Sequence, residues 1–140
     1  MRRSVYNHVR AVATLGVAAR TATANGTAVD RKLSGASGSS EWHSSATLLV
    51  HAGAITDGTH AITVQVSNDN SSWGAAAAGD LQGSLPTIDS DDDNALYEIG
   101  YTGTARYLRA VTTVSGASTG GVYGAVILLG FPNTLPIQRT

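Results

Sequence analysis

The chain has 140 residues, of which 42% are hydrophobic and only 14% are charged, with a net charge of −1 and no cysteine. This length suits one domain with a sizeable core, and the lack of cysteine excludes disulfides, zinc–thiolate sites and thiol nucleophiles. The small net charge gives no overall field that would attract nucleic acid or an acidic membrane. No apolar run reaches the ~18–20 residues of a membrane span. The polar surface must therefore come from Ser, Thr, Asn and Gly, and a surface with few charges resists association less.

Residues 1–20 are expected to form an N-terminal arm. Two arginines near the start precede a short apolar stretch, Ala11–Ala19, but His8 and Arg10 interrupt its head, so we do not expect a signal peptide. The arm has a weak period-2 signal, in which Val9, Ala11, Ala13, Leu15 and Val17 alternate with Arg10, Val12, Thr14 and Gly16. Because free termini usually stay disordered, an ordered arm would have to be held by its own chain or by a neighbour.

The middle of the chain shows strand and turn patterns. Two β-branched runs, Ala46–Ile55 and His60–Ser67, flank the dipeptide Asp57-Gly58. A strand, an Asp-Gly pair and another strand together form the strongest short-range signal for a β-hairpin. We therefore predict that these two strands pair with each other.

The last third returns to strands, at Ala95–Tyr101, Arg106–Val114 and Val122–Gly130. The third run is almost continuously apolar, which is typical of a strand buried on both faces. Two prolines then predict an extended tail over residues 131–140. No segment has a helical period with caps, so residues 21–130 are predicted to form an all-β sandwich or barrel.

The segment VQVSNDNSSW, Val64 to Trp73, has two interpretations. Asn and Asp side chains can bond their own backbone two residues on, which makes the segment a turn at the end of a strand. Alternatively, Trp73 could stack on a sugar, and Trp42 could do the same. A calcium loop of the EF-hand type is excluded because the central Gly and the final Glu are missing.

The acidic run DSDDD places four carboxylates, Asp89, Asp91, Asp92 and Asp93, within five residues. Hard cations bind such oxygens and would relieve the repulsion between them, so these residues are weak candidates for a metal site. Acidic loop runs are more often simply solvated, and salt bridges to arginines of a neighbouring subunit are a further way to relieve the repulsion.

No catalytic motif is present. The four histidines lack the spacing of HExxH, although His51 and His60 could face each other across the predicted hairpin as a zinc pair. The chain has no GxSxG, P-loop or GxGxxG sequence, and no pair of carboxylates can be assigned to glycoside cleavage. We therefore expect no enzymatic activity and no cofactor.

Two long stretches resemble a family of small tailed-phage proteins that are usually encoded beside the major capsid protein. The stretches are VHAGAITDGTHAITVQVSNDNSSWGAAAAGDLQGS and YEIGYTGTARYLRAVTTVSGASTGGVYGAVILLGFPNTLP, and together they span about Val50 to Pro136. The matching positions are Gly53, Asp57, Gly58, Ser67, Asp69, Asp80, Leu81, Gly83, Tyr101, Gly103, Tyr107, Arg109, Gly120 and Pro136. Asn70 departs from the Gly that often follows the loop Asp in this family.

The resemblance implies a capsid decoration protein, also called a cement protein, with an antiparallel, jelly-roll-like β-sandwich fold. Such a protein would lie on the outer capsid of the virion, bind the major capsid protein between capsomers and form a homotrimer. The arm and the tail would make the contacts, and the interface candidates are Arg2, Arg3, Arg10, Arg20, Phe131, Leu135, Pro136 and Ile137. Nucleic acid and membranes are not expected as partners.

Two other functions remain open from the sequence. One is a carbohydrate-binding β-sandwich module that stacks a sugar on Trp42 or Trp73. The other is a structural protein of the head–tail junction or the tail, which copy number in the particle would separate from a decoration protein.

Overall fold

The computed structural model describes residues 4–34 and 40–137, and these form an all-β sandwich of two packed antiparallel sheets. The long strands are β1 (Arg10–Arg20), β5 (Ser40–Ile55), β6 (Thr59–Ser67), β10 (Leu96–Tyr101), β11 (Tyr107–Ser115) and β12 (Gly121–Pro132). The short strands are β2 (Ala24–Asn25), β3 (Val29–Asp30), β4 (Lys32–Ser34), β7 (Gly74–Ala75), β8 (Leu81–Gln82) and β9 (Thr87–Ile88). One 3-10 turn, Ala78–Asp80, precedes β8. Within the described ranges, no helix is long and apolar enough to cross a membrane.

The two sheets divide the long strands between them. Sheet I has the order β1-β12-β5-β10-β8, with β4 beside the start of β5. Sheet II has the order β2-β11-β6-β7, with β3 beside β11 and β9 beside β6. All of these pairings are antiparallel, and most join strands that are distant in sequence.

The core lies between the sheets and is built by alternation along each strand. Leu48 and Val50 of β5 point inward with Ile127 of β12, and Ile62 and Leu108 face them from sheet II. Each of these side chains is almost completely buried. Burying one such side chain stabilises a fold by roughly 1.5–3 kcal/mol relative to its exposure. The alternating patterns of the sequence therefore have a direct counterpart in the core.

Most of the predicted N-terminal arm belongs to the sandwich. Residues 10–20 form the edge strand β1, which pairs antiparallel with β12 from Arg10 opposite Leu129 to Arg20 opposite Gly121. Leu15 on this strand is buried in the core. The segment is thus held by its own chain, and sheet I contains residues on both sides of the boundary predicted at residue 20.

The predicted hairpin at Asp57-Gly58 is wrong. The dipeptide does connect β5 to β6, and Gly58 has a positive φ of 87°, but β5 belongs to sheet I and β6 to sheet II. The Asp57 carboxylate accepts backbone N–H groups from the β11–β12 loop. This contact turns the chain across the sandwich, and β5 pairs with β12 and β10 instead of β6.

Candidate functional site

The outer face of sheet I is mainly apolar across β1, β12 and β5, with the exposed Glu98 beside Leu49 and the exposed His51 beside Leu96 at its β10 side. Ala13, Val126 and Leu49 lie side by side across β1, β12 and β5, and Ala11, Leu128 and Thr47 form the next row. These side chains are half-buried or exposed, because no third layer of the described chain covers this side of the sheet.

The outer face of sheet II is polar by contrast. Gln65 lies opposite Arg109, and both Nε and Nη2 of the arginine donate to Oε1 of the glutamine at 2.9 and 2.6 Å. Thr63 and Thr113 lie on the same face. Only one of the two outer faces therefore has the composition of a surface that another protein would bury.

The two faces of strand β12 have different surroundings, although its sequence is apolar throughout. Its inward residues Tyr123, Ile127 and Leu129 are buried in the core, as predicted, whereas Val126 and Leu128 point to the outer face and stay partly exposed. The prediction of burial on both faces is therefore met on one face only. The other face is not covered by any described part of the chain.

A groove of about 450 Å³ lies at one end of this outer face. Its walls include Thr47 of β5, Leu128 of β12, and Phe131, Pro132 and Leu135 beyond it. The two ends of the described chain meet beside it, where the backbone N–H of Ile137 donates to the carbonyl of Asn7 at 3.1 Å. A nearly apolar lining without converging polar groups is better suited to an apolar protein segment than to a small ligand.

The interface candidates from the sequence fall into three groups. Phe131 and Leu135, at the groove, are 80% and 53% exposed, whereas Ile137 is buried; Pro136 is exposed. Arg10 and Arg20 are half-buried at the two ends of β1; the Arg20 guanidinium donates to the carbonyl of Gly16 and stacks on the ring of Tyr123. Arg2 and Arg3 lie outside the described residues.

The acidic run is an ordered turn before β10. The Asp93 carboxylate accepts the backbone N–H of Ile55 at 2.7 Å, and the Asp92 carboxylate accepts that of Asp89 at 3.0 Å. Burial, together with a hydrogen bond to Asp92, raises the pKa of Tyr97. Among residues 4–34 and 40–137, no three His, Asp or Glu side chains are grouped to hold a metal ion. The geometry therefore favours a structural turn over the metal site considered for Asp89, Asp91, Asp92 and Asp93.

The segment around Asp69 is also a turn. One carboxylate oxygen of Asp69 accepts the N–H groups of Ser71 and Ser72 and the hydroxyl of Ser67. These bonds lower the pKa of Asp69 to about 2. Asn70 follows in the left-handed region with a φ of 59°, a conformation that Asn tolerates well.

The ring of each tryptophan is stacked against an arginine of the same chain. The guanidinium of Arg109 lies 4.3 Å from the centre of the Trp73 ring, and that of Arg31 lies 4.9 Å from the centre of the Trp42 ring. A sugar would have to compete with these cation–π contacts for the same ring faces. The arrangement thus weakens the interpretation of either ring as a sugar platform.

The histidines are not paired for zinc. His51 is exposed on the outer side of sheet I, whereas His60 is buried in sheet II, because the predicted hairpin does not form. His60 Nδ1 lies 3.0 Å from the hydroxyl of Tyr123, and that hydroxyl lies 2.5 Å from Oγ1 of Thr112. These three side chains form a polar network inside the sandwich.

A second buried polar cluster, which no sequence pattern predicted, surrounds Arg31. Arg31 is 1% exposed, and its guanidinium donates to the carbonyls of His43, Gly103, Ala105 and Ser44 at 2.7–3.0 Å. Glu41 and His43 lie nearby on β5; the carboxylate of Glu41 and Nε2 of His43 have no hydrogen-bond partner. Burial lowers the pKa of His43. Four carbonyls satisfy the arginine, so this cluster ties β5 to the β10–β11 connection.

No protein-family model, curated protein or solved structure matches this chain.

Proposed function

We propose that this chain is a structural protein of a tailed-phage virion that decorates the outer capsid and stabilises it by binding between capsomers, as a trimer. It has no enzymatic role in this proposal. The resemblance over Val50 to Pro136 suggests the class of phage decoration proteins. The single structural observation that carries the proposal is the uncovered apolar face of sheet I. A soluble monomer rarely leaves so wide an apolar surface open.

The physical role would be mechanical. A decoration protein that buries the outer face of sheet I against the major capsid protein would add contact area across capsomer junctions. Stable interfaces that bury about 1,200–2,000 Å² are common, and many copies would act together against the pressure of packaged DNA. The absence of a catalytic arrangement in the sequence is compatible with this role.

The test uses purified capsids that lack the protein. Added protein is expected to co-sediment with them and to raise the temperature at which they release DNA. Leu49→Glu replaces an apolar side chain of this face with a second carboxylate beside Glu98 and should abolish binding. Thr113→Glu places the same charge on the polar outer face of sheet II and is the matched control. The proposal fails if virions lack the protein, or if capsids with and without it survive heat and osmotic shock equally.

A head–tail or tail protein would use the same apolar face, and counting copies separates the two roles. A decoration protein follows the capsid lattice and is present in hundreds of copies, whereas a connector is present in one ring. For the carbohydrate-binding alternative, binding on a glycan array that disappears in Trp73→Ala would favour that module. We expect no such binding, because Arg109 is stacked on that ring.

A further inference from the structure

The residues that follow β12 form a strap at the end of sheet I, defined as Asn133–Ile137. We propose that this strap is a detachable lid, which covers two buried polar side chains of β5, Glu41 and His43, and opens while the rest of the sandwich stays folded. The opening is a property of this chain by itself, and its use in docking rests on the proposed function.

The strap is tied down at its two ends. The backbone N–H of Asn133 donates to the carbonyl of Trp42 at 2.9 Å, and Oδ1 of Asn133 accepts the N–H of Trp42 at 3.0 Å. At the other end, Ile137 is buried and its N–H donates to the carbonyl of Asn7 at 3.1 Å. Residues 133–136 are exposed. Because the middle of the strap contributes little burial, these end contacts are what holds it closed.

The strap crosses sheet I on the side that carries the groove. Residues two apart on a strand share a face, and β5 pairs with β12 in unbroken register from His43 to Thr47. His43 therefore faces the same side as Thr47, and Glu41 precedes His43 by two residues. Leu135 of the strap lines the groove together with Thr47. The strap thus lies on the outer side of the sheet, at the end where Glu41 and His43 are placed.

The two polar side chains at this end are buried without partners. Glu41 is 2% exposed and His43 is 0% exposed. Both carboxylate oxygens of Glu41 and Nε2 of His43 lack a hydrogen-bond partner among the described residues. A buried carboxyl group without a partner costs free energy in either protonation state, and most when it is charged. Water reaches these groups once the strap lifts, so the opening removes this penalty.

Phe131, just before the strap, is a second source of strain. Its φ of 49° is a left-handed backbone conformation, which is unfavourable for a bulky side chain. The ring is 80% exposed, so packing of the ring does not compensate the backbone strain. Residues held in such conformations often lie at segments that move. A lifted strap lets Phe131 adopt an extended φ, which makes this residue the hinge.

Opening changes the surface that the proposed function uses. The groove loses the wall that Leu135 forms, and the open strip of β5 lengthens from Thr47 toward Glu41. Ile137, which is buried in the closed strap, becomes accessible as well. The strap therefore regulates how much of the outer face of sheet I a partner can reach.

The opening is measured by hydrogen exchange of individual amides in the full chain. The amides of Asn133 and Ile137, which are hydrogen-bonded in the closed strap, should exchange roughly 100-fold faster than that of Ile127 in the middle of β12. Their exchange should also be insensitive to low urea concentrations, because opening exposes little surface. Strap amides that exchange as slowly as that of Ile127 would overturn the proposal.

Glu41→Met distinguishes a lid under strain from an ordinary frayed end. Methionine has a similar length and no charge, so it removes the unpaired carboxyl group and should slow the exchange of Asn133 and Ile137 by about fivefold. Glu98→Met makes the same change at an exposed position and should leave both rates unchanged. A frayed end would respond to neither variant, so equal rates in wild type and Glu41→Met would overturn the proposal.

Phe131→Gly tests the strain independently and does not alter the buried pair. Glycine adopts a positive φ without a steric penalty, so the closed strap should become more stable and the exchange of Ile137 about threefold slower. Phe131→Ala keeps a Cβ in the same conformation and is the control. Circular dichroism and melting must show that both variants fold. Equal exchange rates in Phe131→Gly and Phe131→Ala would overturn the assignment of Phe131 as the hinge.

Capsid binding separates this inference from the proposed function. Ile137→Ser removes the buried anchor of the strap and should speed association with capsids that lack the protein, whereas Glu41→Met should slow it. Binding at the same rate in wild type and both variants would overturn the use of the strap in docking and leave decoration standing. A strap that opens as expected in a chain that does not bind capsids would support the lid and overturn decoration.

Discussion

The carboxylate of Asp57 accepts the backbone N–H of Gly120 at 2.6 Å, and the carbonyl of Gly120 accepts the N–H of Asp57 in return at 3.3 Å. The carboxylate also takes the N–H groups of Ser118 and Thr119, and these bonds lower the pKa of Asp57. One side chain therefore fixes both the β5–β6 crossing and the β11–β12 loop.

We predict that Asp57→Ala lowers the melting temperature clearly more than Asp57→Asn, which keeps one acceptor oxygen. The Asp57 pKa is lower in the folded chain than in the unfolded chain, so its stabilising effect is complete above the unfolded value and is lost as pH falls through the folded one. Melting curves from pH 6 to pH 2 measure this effect. Asp91→Asn, in an exposed position, is the control. Equal melting of wild type and Asp57→Ala would contradict the prediction.

The hydroxyl of Tyr123 joins His60 and Thr112 inside the sandwich. Tyr123→Phe would keep the ring and leave both partners buried without it, which costs about 1–3 kcal/mol of unfolding free energy. Urea denaturation measures the loss. Tyr107→Phe, on the half-buried outer side of β11, should change stability by less than about 0.5 kcal/mol. Comparable losses in the two variants would show that the network contributes nothing.

The sequence predicted the strands well and their partners poorly. The runs that became β5, β6, β10, β11 and β12 have the alternation or apolar character that their burial requires, because that pattern is local. Pairing depends on contacts between distant residues. The strong Asp-Gly signal failed because Asp57 binds the β11–β12 loop some sixty positions away, and nothing near Asp57 in the chain reveals that bond.

The candidate surface was only half visible in the sequence. The continuous apolar run of β12 predicted that both of its faces are covered. Only the fold shows that no described part of the chain covers its outer face. Leu96 looked like an ordinary strand residue until β10 placed it exposed beside the acidic loop.

The stacking of Arg109 on Trp73 has a measurable consequence. Arg109→Ala would remove a cation–π contact at a partly exposed site and the two hydrogen bonds to Oε1 of Gln65, so we expect a loss of about 1–2 kcal/mol. It should also uncover the ring and shift the tryptophan emission to longer wavelength. Gln65→Ala breaks the same hydrogen bonds but leaves the cation–π contact, and should leave the emission nearly unchanged. An unshifted spectrum in Arg109→Ala would show that the two side chains do not stack in solution.

His43 should make stability depend on pH in the neutral range. Burial is the largest cause that lowers the pKa of His43 in the fold, so the unfolded chain binds a proton first as pH falls below about 6.5. Unfolded chains then hold more protons than folded ones, and the free energy of unfolding must decrease from pH 7.5 toward pH 5. His43→Gln removes this titration and should flatten the curve, whereas His51→Gln, at an exposed position, should leave the slope intact. Chemical denaturation at a series of pH values provides the measurement. A slope unchanged in His43→Gln would place the proton uptake on another group.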